Sequence, residues 1–238
     1  MPMFNPTPSR LFGILDIETK PDPHAMALLR QSNADRSPVA IHRLTAASMI
    51  SVRETTGGEW QDLSLVSVAE PDHSETTMLT EIDRFLLNLI TNGGECVTFN
   101  GLSHDLPTLR RRASRHLLFD LTGVFPATPM LHTDLMRRCT RGWRDDWPSL
   151  RAACAGLGIP VNHLLAGNGG SGPSARQRKC EVDVVCTFLL LLYELSISRR
   201  TQRPIVAGWK AVRELFGSGH PPPHLAQFAR ITPPGSTE

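Results

Sequence analysis

The stretch Arg10-Leu11-Phe12-Gly13-Ile14-Leu15-Asp16-Ile17-Glu18 decides how the rest of the chain is read. It is a short apolar run with β-branched residues and nearby glycine and proline, which favours a buried strand over a helix. In a strand, residues two apart share a face, so Asp16 and Glu18 point the same way at the end of an apolar element. Two carboxylates so placed repel each other and lose hydration. A divalent cation between them removes both penalties. Taken alone, the pair also fits two solvated acids at a strand end.

Working outward, residues 19–46 are polar and broken by Pro21, Pro23 and Pro38, with a short helix predicted over 24–31. Residues 49–54 and 63–69 read as strands, with Gly57-Gly58 marking a hairpin connection. Apolar residues at helical spacing predict a helix over 77–90. A short strand is expected over 96–99 after the Asn92-Gly93-Gly94 turn. A basic helix over 107–115 has Pro107 in its first turn. Another helix spans 147–157, stopped by Gly158 and Pro160. Residues 162–178 are rich in glycine, serine and asparagine and read as a mobile loop. The strongest helical pattern runs over 181–198, and Pro204 separates it from a final helix over 206–216. From 217 onward proline and glycine predict a disordered end. This order predicts an α/β fold, a mixed central sheet with antiparallel opening strands and flanking helices. The expected division is a main domain over 1–200 and a C-terminal helix with a Pro/Gly-rich tail over 201–238.

Composition narrows the function classes. With 238 residues, 40% of them hydrophobic and 20% charged, the chain can bury a core without staples. A net charge of +2 excludes a polybasic protein but not a local basic surface. The five cysteines are an odd number without a Cys-x-x-Cys pair, which points to a reducing compartment rather than a disulfide framework. No signal pattern opens the sequence, and its most apolar run, 184–197, contains Glu194 and is too short to span a bilayer. A cytoplasmic protein that makes no membrane contact is expected. Neither a phosphate-binding glycine loop nor a Gly-x-Ser-x-Gly elbow is present, which weakens the NTPase and serine-hydrolase classes.

Two further stretches carry acids. Thr98-Phe99-Asn100-Gly101-Leu102-Ser103-His104-Asp105-Leu106-Pro107 places an acid just before a helix that it could simply cap. Lys179-Cys180-Glu181-Val182-Asp183 places two acids at the start of the long helix, where the helix dipole favours them and Glu181 reads as a surface residue. Between Asp105 and Arg151 nine arginines face five aspartates. Such an excess of cations suits phosphate contacts, Arg110, Arg111 and Arg112 above all, and equally suits a solvated helix face. Trp143 and Trp147 fit the core better than a base-stacking role.

Jointly these stretches resemble the DEDD superfamily of 3′-5′ exonucleases, and more narrowly the stand-alone proteins related to the exonuclease domain of family B DNA polymerases. The resemblance is carried by Ile14-Leu15-Asp16-Ile17-Glu18-Thr19-Lys20-Pro21-Asp22, Thr98-Phe99-Asn100-Gly101 with Asp105-Leu106-Pro107, His132-Thr133-Asp134-Leu135-Met136, and Cys180-Glu181-Val182-Asp183. It spans about residues 10–198. It implies a ribonuclease H-like fold, and two divalent ions, magnesium or manganese, held by Asp16, Glu18, Asp105 and Asp183. It implies release of nucleotides from the free 3′ end of a single strand, DNA ahead of RNA, with Asn100 near the substrate. Asp134 falls outside the four-acid set and reads as structural.

The sequence departs from that pattern at two places. The aromatic usual just before the second-motif acid is here His104. The tyrosine usual four residues before the last acid, and the histidine found five before it in a sister branch, are here Lys179 and Arg178. Lys179 is the candidate to hold the water or steady phosphate charge, with its pKa expected to fall beside two bound cations. The alternative reading is a weak or inactive exonuclease-fold module that binds nucleic acid or a partner protein.

Overall fold

The computed structural model describes residues 9–30, 33, 38–139, 148–162, 174–230 and 232. Strand β1 (Arg10–Pro21) runs through the middle of a five-stranded sheet. It pairs antiparallel with β2 (His42–Glu54), which pairs antiparallel with β3 (Trp60–Ala69). On its other side it pairs parallel with β4 (Glu95–Thr98), which pairs parallel with β5 (Leu131–Asp134). The strand order β3-β2-β1-β4-β5 is the mixed sheet with antiparallel opening strands that the sequence predicts.

The helices are α1 (Pro23–Leu28), α2 (Glu75–Thr91), α3 (Asp105–Arg115), α4 (Leu135–Cys139), α5 (Leu150–Gly156), α6 (Ala175–Arg199), α7 (Arg203–Gly217) and α8 (Pro223–Ala229). They cover the sheet's two faces. Phe12 and Ile14 of β1 pack with Trp60, Phe188 of α6 and Trp209 of α7 on one face. Leu11, Leu15 and Ile17 pack with Leu79, Ile82 and Leu86 of α2 on the other. The period-two alternation of β1 therefore splits its residues between two cores. None of the helices of the described residues is long and apolar enough to cross a membrane.

Several expectations need correction. β2 and β3 begin well before the apolar stretches that signal them. The polar start of β2 is held by long-range partners: the Lys20 ammonium donates to Glu70 at 2.8 Å, and Arg43 pairs with the same carboxylate. β5 is four residues long, too short to show a period, and was not expected as a separate strand. α6 begins at Ala175, inside the stretch read as loop, because the Ser174 hydroxyl caps it by accepting from the Gln177 N–H at 3.1 Å. The end of the chain is not wholly irregular. Leu225 and Phe228 of α8 are buried, and the Phe228 ring lies 6.0 Å from that of Phe216.

Candidate active site

The row that begins with Phe12 and Ile14 continues along β1 to Asp16 and Glu18, so the same alternation that builds the α6-facing core points both acids at α6. At Glu18 the β1–β2 register slips by one residue. The extra residue is Thr45, whose hydroxyl donates to the Glu18 carbonyl at 3.0 Å. A bulge of this kind re-aims the side chain beside it. Small residues let the helix approach here. Cys180, Ala46 and Ala69 pack together, and the Cys180 thiol donates to the Asp16 carbonyl at 3.2 Å.

Asp183 comes from α6. Since that helix starts at Ala175, Asp183 stands in its third turn rather than its first, beyond the reach of the helix-end dipole. Carboxylate oxygens of Asp16, Glu18 and Asp183 lie within 4.8 Å of one another. Asp105, 3% exposed at the start of α3, lies close enough to Asp16 to act on its charge, although it is outside that three-way set. It is the first residue of α3 and not its cap, which is His104. Burial, then the charges of Asp183 and Asp105, push the Asp16 carboxyl well above its ordinary value. Burial also raises Glu18 and Asp105, although Lys179 opposes the first shift and His104 the second. Asp16 Oδ2 is buried without a hydrogen-bond partner. An orphaned carboxylate oxygen amid other carboxylates fits a hard divalent cation, which takes oxygen ligands.

Lys179 sits one helical turn before Asp183 and donates to Asp183 Oδ2 at 2.8 Å and to Glu18 Oε1. Burial favours its neutral amine. The charges of Asp183, Asp16 and Glu18 outweigh that and hold the ammonium well above the ordinary lysine range. The fall expected of Lys179 belongs to the site with two bound cations, whereas here only carboxylates face the ammonium. His104 was not foreseen as part of the cluster. Its Nδ1 lies 3.0 Å from Asp105 Oδ1, and that contact raises its pKa. The one sequence signal was its place beside Asp105.

The loop before α3 is fastened by Asp134. Its carboxylate accepts from the backbone N–H groups of Asn100 at 2.9 Å, Leu102 at 3.1 Å and Met136 at 3.1 Å. Asn100 adopts a φ of 69°, a left-handed conformation that asparagine tolerates. Its Oδ1 is buried without a partner. At Gly101 an added Cβ would stand 2.1 Å from Thr98 Oγ1, so only glycine fits.

The structure separates the three arginines. Arg110 and Arg111 are exposed, and Arg111 lies near enough to His104 to oppose its protonation. Arg112 is buried and corrects the expectation of a phosphate contact. It donates to both Glu75 oxygens at 2.7 Å and to Asp22 at 3.0 Å, so its guanidinium is already spent on internal carboxylates. Glu181 is also buried rather than a surface acid, with His224 Nε2 2.5 Å from its Oε2. Tyr193 donates to the Leu157 carbonyl at 3.1 Å, away from the acids. Trp143 and Trp147 lie outside the described residues.

No protein-family model and no curated protein matches the sequence. Solved structures do. The family B DNA polymerase from the hyperthermophilic archaeon Pyrobaculum calidifontis aligns over 94% of this chain and 27% of its own, with a TM-score of 0.51 at 14% identity. E. coli exonuclease I in complex with a dT13 oligonucleotide aligns over 80% of this chain and 42% of its own, with a TM-score of 0.45 at 14% identity. The chain thus spans well under half the length of either. The strand order and the likeness to the polymerase show that the chain has a ribonuclease H-like fold.

Proposed function

We propose that the chain is a metal-dependent 3′-5′ exonuclease that hydrolyses phosphodiester bonds at the 3′ end of a single strand, DNA in preference to RNA. The observation that carries this reading is the convergence of Asp16, Glu18 and Asp183, with Asp105 beside them and an orphaned Asp16 oxygen in their midst. Burial raises Asp16, Glu18 and Asp105, and a divalent cation among these oxygens would relieve that penalty. Magnesium or manganese held by these four acids would supply an activated water and a charge that stabilises the leaving 3′ oxygen.

The remaining work falls to the chain's own side chains. Asp134 fixes the loop that carries Asn100, whose buried amide oxygen has no partner within the protein. His104 holds Asp105 through its Nδ1. Arg110 and Arg111, both exposed on α3, would meet strand phosphates in this reading. Resemblance to polymerase-type exonucleases supports a single-stranded substrate, as does the oligonucleotide in the exonuclease I structure. One observation favours the alternative of a binding module without hydrolysis: Lys179 already neutralises part of the cluster.

A 3′-labelled single strand incubated with magnesium or manganese, against a chelator control, decides between them. Release of the label with the first nucleotide, and stepwise shortening of 5′-labelled strands from their 3′ ends, are expected. A strand that is bound but never shortened under either metal would assign the module. Release that starts at 5′ termini would assign another nuclease class. A 3′-terminal phosphate should slow release, because it adds charge and bulk where a terminal hydroxyl belongs.

A further inference from the structure

We propose that, in the absence of a strand, Lys179 serves as a tethered cation in the place between Glu18 and Asp183 that a second divalent ion needs, so that the resting site takes one ion only. The inference rests on the metal-dependent reading above and adds to it an order of assembly.

The geometry is specific. One ammonium donates to carboxylates of two different elements, Glu18 on β1 and Asp183 on α6. The lone pairs that accept those hydrogen bonds are the ones a bridging metal ion would coordinate. Like charges also exclude each other at such range. Lys179 is not a stray surface side chain that happens to fall there. Its backbone lies within a continuous helix one turn from Asp183, and its i,i+4 spacing presets the contact. Lys179 makes no hydrogen bond to Asp16, whose Oδ2 lacks a partner and feels the charge of Asp105. These two acids are left to a first ion.

The lysine can also leave. Its side chain is 44% exposed, against 15% for Glu18 and 23% for Asp183. A strand phosphate brought to the site offers the ammonium a new anionic partner. Its departure uncovers two carboxylate oxygens, and four acids then face one divalent ion. The phosphate's arrival and the second ion's entry are thereby coupled through one side chain, which makes full metal loading dependent on substrate. Every step is an exchange of ionic partners and no proton need move.

The test is a count of bound manganese, which does not depend on turnover. Calorimetric titration of the full chain, with electron paramagnetic resonance of free manganese as a second reading, should give one ion per wild-type chain. Lys179→Gln and Lys179→Met should each give two, and Lys179→Arg, which keeps the charge, should remain at one. Circular dichroism confirms that each variant is folded, and the two neutral variants guard against failure of either. A wild-type chain mixed with a strand whose terminal linkages are phosphorothioates should rise from one ion to two. Two ions in the strand-free wild type would overturn the proposal, and so would a single ion in both neutral variants. No bound manganese in any chain would overturn the metal-dependent reading itself, a result distinct from the other two.

Discussion

Burial and the charges of Asp183 and Asp105 push the Asp16 carboxyl well above the ordinary carboxylate range. A carboxyl whose folded-state pKa is raised stabilises the fold below its unfolded value. That contribution is lost as pH rises through the folded value. At neutral pH an ionised Asp16 therefore opposes folding. Asp16→Asn keeps the shape and removes the charge. It should abolish 3′ release and yet raise the melting temperature of the metal-free chain, by about 2–4 °C for each kcal/mol relieved. Scanning calorimetry in chelator checks this, and a lowered melting temperature would sink it. The Arg112 network has the opposite sign. Burial works against the charges of Glu75 and Asp22, but hydrogen bonds from Arg112 prevail and lower both pKa values. Their contribution is present above the unfolded values, 4.5 and 3.8, and is lost as pH falls through the lowered ones. Arg112→Met should cost about 3–5 kcal/mol at neutral pH, since it strands buried carboxylates, and less in acid. Urea unfolding at the two pH values measures the difference. The double variant Arg110→Ala, Arg111→Ala should leave stability unchanged and lower the salt slope of strand binding by somewhat under about 2 units. Three arginines in a row look alike in a sequence. Only the helical turn, and a glutamate far away in the chain, tell Arg112 from its neighbours.

At the scale of elements, the site hangs on a bulged strand, a fastened loop and a helix whose start lies among polar residues. The strand was legible, because period two alone places Asp16 and Glu18 on one face. The bulge was not, since Thr45 lies in a stretch whose prolines and polar residues read as loop. The helix was half legible. Apolar residues after position 183 announce α6, but its first turns carry Arg176, Gln177 and Arg178, and their helical state shows only through the Ser174 cap. That missing turn and a half explains why the lysine bridge could not be foreseen in full. The loop yields its own prediction. Asp134→Ala removes the acceptor of three backbone N–H groups while the residue itself is 5% exposed. It should destabilise the chain by about 2–4 kcal/mol, the cost of leaving buried donors unmet, and depress cleavage with it. Asp134→Asn, which keeps one acceptor oxygen, should lose less. Equal losses in the two variants, read by urea titration, would show that one neutral acceptor oxygen of the right size does not hold the loop.

At the scale of the molecule, the sheet separates two cores, and the acids lie on the α6 side, where the C-terminal helices pack. α7 approaches α6 closely because Gly208 leaves room: a Cβ there would stand 2.3 Å from Leu192. α8 then closes over both. Leu225 and Phe228 are buried, and His224, wholly buried, meets Glu181, two residues before Asp183 on α6. The composition after residue 217 hides this, because proline and glycine dominate it and the apolar residues of α8 are few. If α8 is part of the core, a chain ending at Ser218 must lose more than a tail. Burial of Leu225 and Phe228 contributes about 3–6 kcal/mol. Their removal also leaves the buried Glu181 carboxylate without its histidine, a further penalty of the kind that breaking a buried pair brings. The truncated chain should therefore unfold at a much lower urea concentration, and its cleavage of a 3′-labelled strand should fail at temperatures the full chain withstands. Phe228→Ala provides the milder version, with an expected cost of about 3–5 kcal/mol and no change of chain length. A shared midpoint for the truncated and full chains would make α8 an appendage and confine the catalytic fold to the sheet and the helices before it. A graded loss from full chain to Phe228→Ala to truncation would instead show that the helix holding Lys179 and Asp183 is braced from behind by the last described helix of the chain.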